Sequence, residues 1–214
     1  MESSVDLSIS HGNAGIVSFL CYCLEAGIEP GLTRRLLTAS ICFLESNTIP
    51  EAEYIGSVPQ SGFIVQDAPA WCRGSIAVHA SLLKGYMALQ DAERAASMTR
   101  RLAAAPCLVS AVDENYDAIF CHGAAGTTQI YNWLWRCTGQ TIFAETSEVW
   151  HQKILDLGSR KEGPAGYLTF DRDSRNKDEQ WCPSLGLLNG LSGIGLALSS
   201  TCRHLNSWER VFML

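Results

Sequence analysis

Three residues of this chain carry the side chains of a metal site: Cys72, Cys121 and His122. Cys121 and His122 are adjacent and precede Gly123, and Cys72 lies shortly before Gly74. Thiolate sulfur and imidazole nitrogen are ligands that zinc prefers, and three protein ligands leave the fourth position of a catalytic zinc open. The pattern therefore predicts one Zn²⁺ ion that activates a thiol or a water. The alternative is that the cysteines pack as small apolar side chains.

The bulk composition excludes several classes of function. The chain has 214 residues, of which 47% are hydrophobic, and 16 basic against 22 acidic residues give a net charge of −6. No basic run is longer than a pair of arginines, so we expect no binding to nucleic acid. No apolar run approaches the roughly 18 residues that a bilayer requires, so we expect no transmembrane segment.

The cysteine content bears on the cellular compartment. Nine cysteines are an odd number, and the chain opens without the apolar segment of a secretory signal. Disulfide frameworks are typical of short secreted chains with an even number of cysteines. The sequence therefore predicts a cytoplasmic protein whose thiols are mostly reduced.

A short glycine-centred motif, the glycine signature, recurs four times. The unequal intervals between its copies fit a structural repeat whose loops differ in length. Glycine at these steps lets a helix begin with its backbone close to a neighbour, since no Cβ is in the way. The copies are His11-Gly12-Asn13-Ala14-Gly15, Cys72-Arg73-Gly74, His122-Gly123-Ala124-Ala125-Gly126 and Asn189-Gly190-Leu191-Ser192-Gly193.

Two kinds of helix alternate along the chain. Stretches that are apolar nearly all round follow the signatures and predict buried helices over Ile16–Leu24, Ile76–Leu89, Thr127–Trp135 and Ile194–Leu198. Amphipathic stretches lie between them and predict outer helices over Gly31–Glu45, Asp91–Ala105 and Glu145–Leu157. The alternation predicts an all-α fold with an inner and an outer layer of helices.

Little else in the sequence suggests regular structure. Gly62–Val65 is the one short strand candidate, and Asp91 is the expected N-cap of its helix. The polar segment Gly158–Asp178 predicts a long surface loop, with a short β-turn around Tyr167–Phe170.

The repeat gives a geometric reason to group residues that are far apart in sequence. If the inner helices all start at the same end, equivalent signature positions face the same central space, which would bring Cys72 to Cys121 and His122. His11 stands directly before Gly12 in the first signature. Its functional interpretation is a group that moves a proton near neutral pH. The alternative is a structural histidine bonded to a carbonyl.

Four motifs occur in the order found in the lanthionine synthetase C-like (LanC) family, and the chain resembles that family through them: His11-Gly12, Trp71-Cys72-x-Gly74, Cys121-His122-Gly123 and Leu188-Asn189-Gly190-Leu191-Ser192-Gly193-Ile194-Gly195-Leu196. The resemblance implies an α/α-toroid of inner and outer helices. It also implies that Cys72, Cys121 and His122 hold the zinc and that His11 is the active-site histidine.

The resemblance further implies an activity. Zinc in this family binds a cysteine of a dehydrated precursor peptide as thiolate, which adds to dehydroalanine or dehydrobutyrine and closes a thioether ring. His11 would act on the enolate formed by that addition. Two alternatives remain at this stage: a scaffold that holds zinc and a thiol, such as glutathione or a peptide cysteine, without catalysis, and an inactive remnant.

The resemblance covers about the C-terminal half of a typical member. We therefore expect residues 1–214 to form a single LanC-like domain that is truncated at its N-terminus, as a partial arc of about four of seven helix pairs. The family's upstream acidic residue has no counterpart, and Ala68 and Arg73 replace an arginine and a tyrosine that are frequent in the family. An open arc exposes apolar edges. We expect a partner protein or self-association to cover them.

Overall fold

The computed structural model describes residues 5–47, 63–64, 69–104, 116–171, 180–203, 207–212 and 214. The chain divides into two compact units. The first unit comprises Met1–Ala68, Cys72–Cys107 and Glu209–Leu214, and the second comprises Pro69–Trp71 and Leu108–Trp208. Each unit is described by itself below.

The first unit contains four helices and one small sheet in its described ranges. Strand β1 (Val5–Asp6) pairs in parallel with β2 (Phe63–Ile64). Helix α1 packs against α2 and α3, and α3 packs against α4. The helices are α1 (Asn13–Glu25), α2 (Pro30–Asn47), α3 (Ser75–Ala88) and α4 (Ala92–Ala104).

Helix α3 forms the core of the first unit because almost every side chain along it is apolar or small. Most of its residues are buried, whereas α4 buries only Met98 and Leu102. Gly85 lets α3 approach its neighbours, since a Cβ there would lie 2.7 Å from a methyl group of Ile41 in α2. The predicted alternation is confirmed for the buried α3 and the amphipathic α4. It is wrong in part for α1, which was predicted to be buried on most faces but exposes Ile16 and Phe19.

The second unit contains three helices and one hairpin in its described ranges. Helix α5 is largely buried and packs against both α6 and α7. It ends at Gly139, whose φ of 70° is a left-handed conformation that glycine adopts readily. The elements are α5 (Ala124–Thr138), α6 (Thr141–Leu157), α7 (Leu191–Arg203) and the antiparallel pair β3 (Thr169–Phe170) and β4 (Trp181–Cys182).

All seven predicted helices are present, and most begin earlier than their apolar stretches predicted, because the residues directly after the signature glycines are already helical. Asp91 caps α4 as predicted, since its Oδ1 accepts a hydrogen bond from the backbone N–H of Arg94 at 3.0 Å. The strand prediction at Gly62–Val65 is confirmed by β2. None of the described helices is long and apolar enough to cross a membrane.

The prediction of a surface loop over Gly158–Asp178 is wrong for part of that segment. Residues 164–166 form a 3₁₀ turn and Thr169–Phe170 forms β3 instead of a β-turn. Tyr167 and Phe170 are buried, and residues 172–179 lie outside the described ranges. Part of this segment is thus buried through two aromatic side chains, although its average composition is strongly polar.

Candidate metal centre

The first, third and fourth glycine signatures share one backbone geometry. At the leading glycine of each, a Cβ would collide with the backbone of a residue in the preceding loop. The colliding pairs are Gly12 with Asp6, Gly123 with Asp117 and Gly190 with Ser184. At the second glycine the same holds for Gly15 with Ile9, Gly126 with Phe120 and Gly193 with Leu187. The spacing is identical in each case, so the predicted repeat is confirmed for these copies.

This equivalence aligns the residues that precede each leading glycine. His11 corresponds to His122, and Ser10 corresponds to Cys121 and Leu188. Backbone hydrogen bonds connect signatures at this position: Ser10 N–H donates to the Cys72 carbonyl at 3.3 Å. Cys121 N–H donates to the Leu188 carbonyl at 3.0 Å. The main chain therefore fixes the positions of both cysteines.

Ring packing in the second unit holds the residues that precede the two cysteines. The ring centroid of Trp71 lies 5.7 Å from that of Phe120, and Phe120 also meets Trp208 at 5.6 Å. Cys72 follows Trp71 and Cys121 follows Phe120, so this buried aromatic pair restrains the main chain directly before each cysteine.

The three predicted ligands come together. The two Sγ atoms of Cys72 and Cys121 and one ring nitrogen of His122 all lie within 4.8 Å of one another. Neither cysteine is in a disulfide. The Nε2 atom of His122 is buried and has no hydrogen-bond partner among the described residues. A buried imidazole nitrogen without a partner is costly unless something binds it, so the donor set fits a metal ion.

The chemistry of the donor set narrows the choice of metal. Two thiolates and an imidazole favour zinc or another soft ion over magnesium or calcium, which prefer oxygen ligands. Cys21 provides a contrast within the same chain. Burial raises the pKa of Cys21 to about 11, so this thiol stays protonated and acts as a small apolar side chain.

Asp117 supports the loop that presents Cys121 and His122. Asp117 is 2% exposed, and its carboxylate accepts hydrogen bonds from the backbone N–H of Ile119 at 3.3 Å and of Phe170 at 3.0 Å. Asp6 stands at the equivalent position of the first signature and accepts from Ser8 N–H at 2.8 Å. Sequence reasoning missed both aspartates. Aligning the copies on their glycines could have found them.

His11 is placed beside the backbone of Cys72 by one serine. Its Nδ1 lies 2.7 Å from Ser10 Oγ, which donates to the Cys72 carbonyl at 3.0 Å. His11 is exposed and does not belong to the three-residue group. Its geometry thus leaves the other ring nitrogen, Nε2, as the atom that a ligand could reach.

Comparison with known proteins identifies the family. A family model described as lanthionine synthetase C-like protein matches residues 1–213. The chain belongs to the lanthionine synthetase C-like family. No curated protein matches the sequence of this LanC-like chain significantly.

Solved structures give the fold of the LanC-like chain. Six chains match, including one named nisin cyclase, with a TM-score of 0.66 and 20% sequence identity. The match covers 98% of this chain and 50% of nisin cyclase, so the chain spans half the length of that structure. The α/α-toroid is therefore the fold class of this chain, and the all-α toroid prediction is confirmed.

Proposed function

We propose that this chain is a zinc-dependent lanthipeptide cyclase, or the C-terminal part of one. In this proposal Cys72, Cys121 and His122 hold one Zn²⁺ ion, and the substrate is a dehydrated precursor peptide. The observation that carries the proposal is the approach of three ligand atoms to within 4.8 Å in a chain of the LanC-like family. When bound, zinc would supply the Lewis acidity that converts a peptide thiol into a thiolate at neutral pH.

The proposed reaction balances without a further reactant. The thiolate sulfur bonds to the β-carbon of dehydroalanine or dehydrobutyrine, the carbon–carbon π bond breaks, and an enolate forms. His11 then donates a proton to the α-carbon, as general acid. The thiol loses one proton and the α-carbon gains one, so the peptide keeps its mass. Reduced thiols are a requirement, which supports the cytoplasm as the compartment.

Zinc content tests the metal site. We expect about one zinc per chain in the purified protein and almost none in Cys72→Ala, Cys121→Ala and His122→Ala, because two remaining ligands hold zinc weakly. Cys42→Ala is the matched control, since Cys42 is an exposed cysteine on α2. Absence of zinc from the parent protein contradicts the proposal.

A thiol assay separates catalysis from simple binding. The probe is a synthetic peptide that contains one dehydroalanine and one cysteine. Loss of its free thiol without a change in mass supports the cyclase, whereas binding without thiol loss supports the alternative of a non-catalytic scaffold that holds zinc and a thiol. His11→Asn should keep its zinc and close rings about 100-fold more slowly, which is typical of loss of a general acid. Loss of zinc in this variant would contradict the role given to His11.

Exposed apolar side chains in the first unit support the proposal that a partner protein or a second copy covers this chain. Ile16 and Phe19 on α1 are 51% and 53% exposed, and Leu32 and Leu36 on α2 are 47% and 48% exposed. Ile16 and Phe19 are three residues apart on α1, and Leu32 and Leu36 are four apart on α2, so each pair exposes neighbouring apolar side chains. Exposed apolar patches are typical of interaction sites. Light scattering over a wide concentration range tests this. A monomer that does not associate at any concentration contradicts it.

A further inference from the structure

Ser10 occupies the position that the proposed zinc ligand Cys121 has in the third signature, and its hydroxyl makes three contacts. It donates to the carbonyl oxygen of Cys72 at 3.0 Å. It also lies 2.7 Å from Nδ1 of His11 and 3.4 Å from Oγ of Ser8. One hydroxyl therefore touches the backbone of one proposed zinc ligand and the ring of the proposed general acid.

Counting protons fixes the direction of these hydrogen bonds. A serine hydroxyl has one proton to donate and two lone pairs to accept with. The Cys72 carbonyl can only accept and lies 3.0 Å from the Ser10 hydroxyl, so we assign the proton of Ser10 to this bond. Ser10 Oγ must then accept from its two other neighbours. Ser8 is consistent with this, because its Oγ accepts from the backbone N–H of His11 at 3.3 Å and keeps its own proton for Ser10.

The same count assigns the tautomer of His11. Since Ser10 Oγ accepts, the Nδ1 atom of His11 must carry a hydrogen. A neutral imidazole has one protonated and one unprotonated nitrogen, so its Nε2 is the basic atom. In the cationic ring, Nε2–H is then the bond that gives up its proton while Nδ1–H stays with Ser10.

We propose that Ser10 is a positioning residue that keeps His11 in the Nδ1–H tautomer, so that Nε2 is the nitrogen that exchanges a proton with the peptide. The hydrogen-bond geometry supports the tautomer of His11. The effect of that tautomer on ring closure rests on the proposed cyclase function. Ser10 does not touch the reacting atoms. It acts through His11, and its backbone N–H continues to hold the Cys72 carbonyl whatever its side chain.

Nitrogen chemical shifts of the histidine rings test the tautomer directly. Long-range proton–nitrogen NMR of the full-length chain, under alkaline conditions where imidazole is neutral, distinguishes protonated from unprotonated ring nitrogens. The signals of His11 are those missing from the His11→Asn spectrum. We expect a protonated Nδ1 and an unprotonated Nε2. An Nε2–H tautomer in the parent protein overturns the inference, whatever the protein does to a peptide.

Substitution at Ser10 tests its role in ring closure. Ser10→Ala removes the acceptor of Nδ1–H, so we expect both tautomers to be populated and thiol loss from the dehydroalanine peptide to slow about tenfold, the usual cost of losing an orienting partner. Ser10→Thr keeps the hydroxyl and should restore the Nδ1–H tautomer and most of the rate. Zinc content should be equal in all three proteins.

The control is Ser46→Ala, which removes an exposed hydroxyl that bonds the Cys42 carbonyl within α2. It should leave the His11 spectrum and the rate as they are. If Ser10→Ala keeps the parent tautomer and rate, or if Ser10→Thr fails to restore them while it keeps its zinc, the inference is wrong. If the parent protein shows the Nδ1–H tautomer but closes no ring, the proposed function fails while the assignment to Ser10 stands.

Discussion

The first and third glycine signatures have the same backbone frame but different chemistry. Both place two glycines against the preceding loop, and both hold an aspartate that accepts backbone hydrogen bonds. They differ in the two residues before the leading glycine: Ser10 with an exposed His11 in one, and Cys121 with a partly buried His122 in the other. In both signatures glycine and aspartate determine the backbone geometry. The residue two positions before the leading glycine determines the chemistry.

Disrupting the close backbone approach at the signature glycines should have the largest effect on stability. In Gly126→Ala the new Cβ collides with the Phe120 carbonyl oxygen and lies 2.9 Å from the Cβ of Trp71, so we expect a loss of about 3 kcal/mol in the free energy of unfolding. Gly15→Ala should cost a similar amount, since its Cβ meets the Ile9 carbonyl oxygen. Chemical denaturation measures both.

Gly195→Ala is the matched control for these two variants. Gly195 lies in α7 with open space around it, and alanine there should stabilise the protein by up to about 1 kcal/mol. A loss of stability in Gly195→Ala comparable to that in Gly126→Ala would mean that the close backbone approach is not the cause.

Converting the third signature to the chemistry of the first should strongly weaken metal binding but keep the backbone geometry. Cys121→Ser leaves the backbone bond to Leu188 in place and replaces a thiolate with a hydroxyl, which is a poor zinc ligand. We expect zinc affinity to fall by about 100-fold or more, with the circular dichroism spectrum unchanged. Unaltered affinity would show that Cys121 does not bind the metal.

The two aspartates should differ in their contribution to stability. Asp117→Asn places an amide group among two backbone donors in a buried site, and we expect a loss of about 2 kcal/mol in the free energy of unfolding. Asp6→Asn affects one such bond at a partly buried position and should cost about 1 kcal/mol. Equal losses in the two variants would show that the hydrogen bond from Phe170 N–H in β3 to Asp117 does not contribute to stability.

A histidine outside both signatures affects stability only in acid, and its effect must be separated from that of the signature histidines in any pH experiment. Burial, with a further contribution from the charge of Arg101, lowers the pKa of His79 to about 4. The unfolded chain binds the proton near the ordinary pKa of 6.5, so the free energy of unfolding should fall as the pH drops from about 6.5 to 4, by about 1.4 kcal/mol per pH unit. His79→Leu should remove this slope, and an unchanged slope would exclude His79 as its source.

The helices and the ligand set could be predicted from the sequence because local composition determines them. The apolar run that becomes α3 can only be buried, and the recurring glycine signature grouped Cys72, Cys121 and His122 before any distance was known. The metal-site roles of these residues and the role of His11 stay predictions, as does the single domain over residues 1–214.

Contacts between distant residues could not be predicted, because they depend on how loops meet. Nothing near Asp117 in the sequence indicates that its carboxylate bonds Phe170 N–H, and the polar composition around Phe170 suggested solvent instead. The hydrogen bonds that link His11 through Ser10 to Cys72 could not be predicted for the same reason, since they join residues in different signatures.

The main-chain bond at the position of Ser10 and Cys121 has a consequence for protein engineering. Serine, cysteine and leucine all occur there in this chain, and two of the three donate the same N–H to a carbonyl of another signature. The same backbone bond thus forms whether serine or cysteine stands at the donor position. Leu188 is therefore a position where a new donor atom could be introduced while its carbonyl keeps the bond from Cys121 N–H.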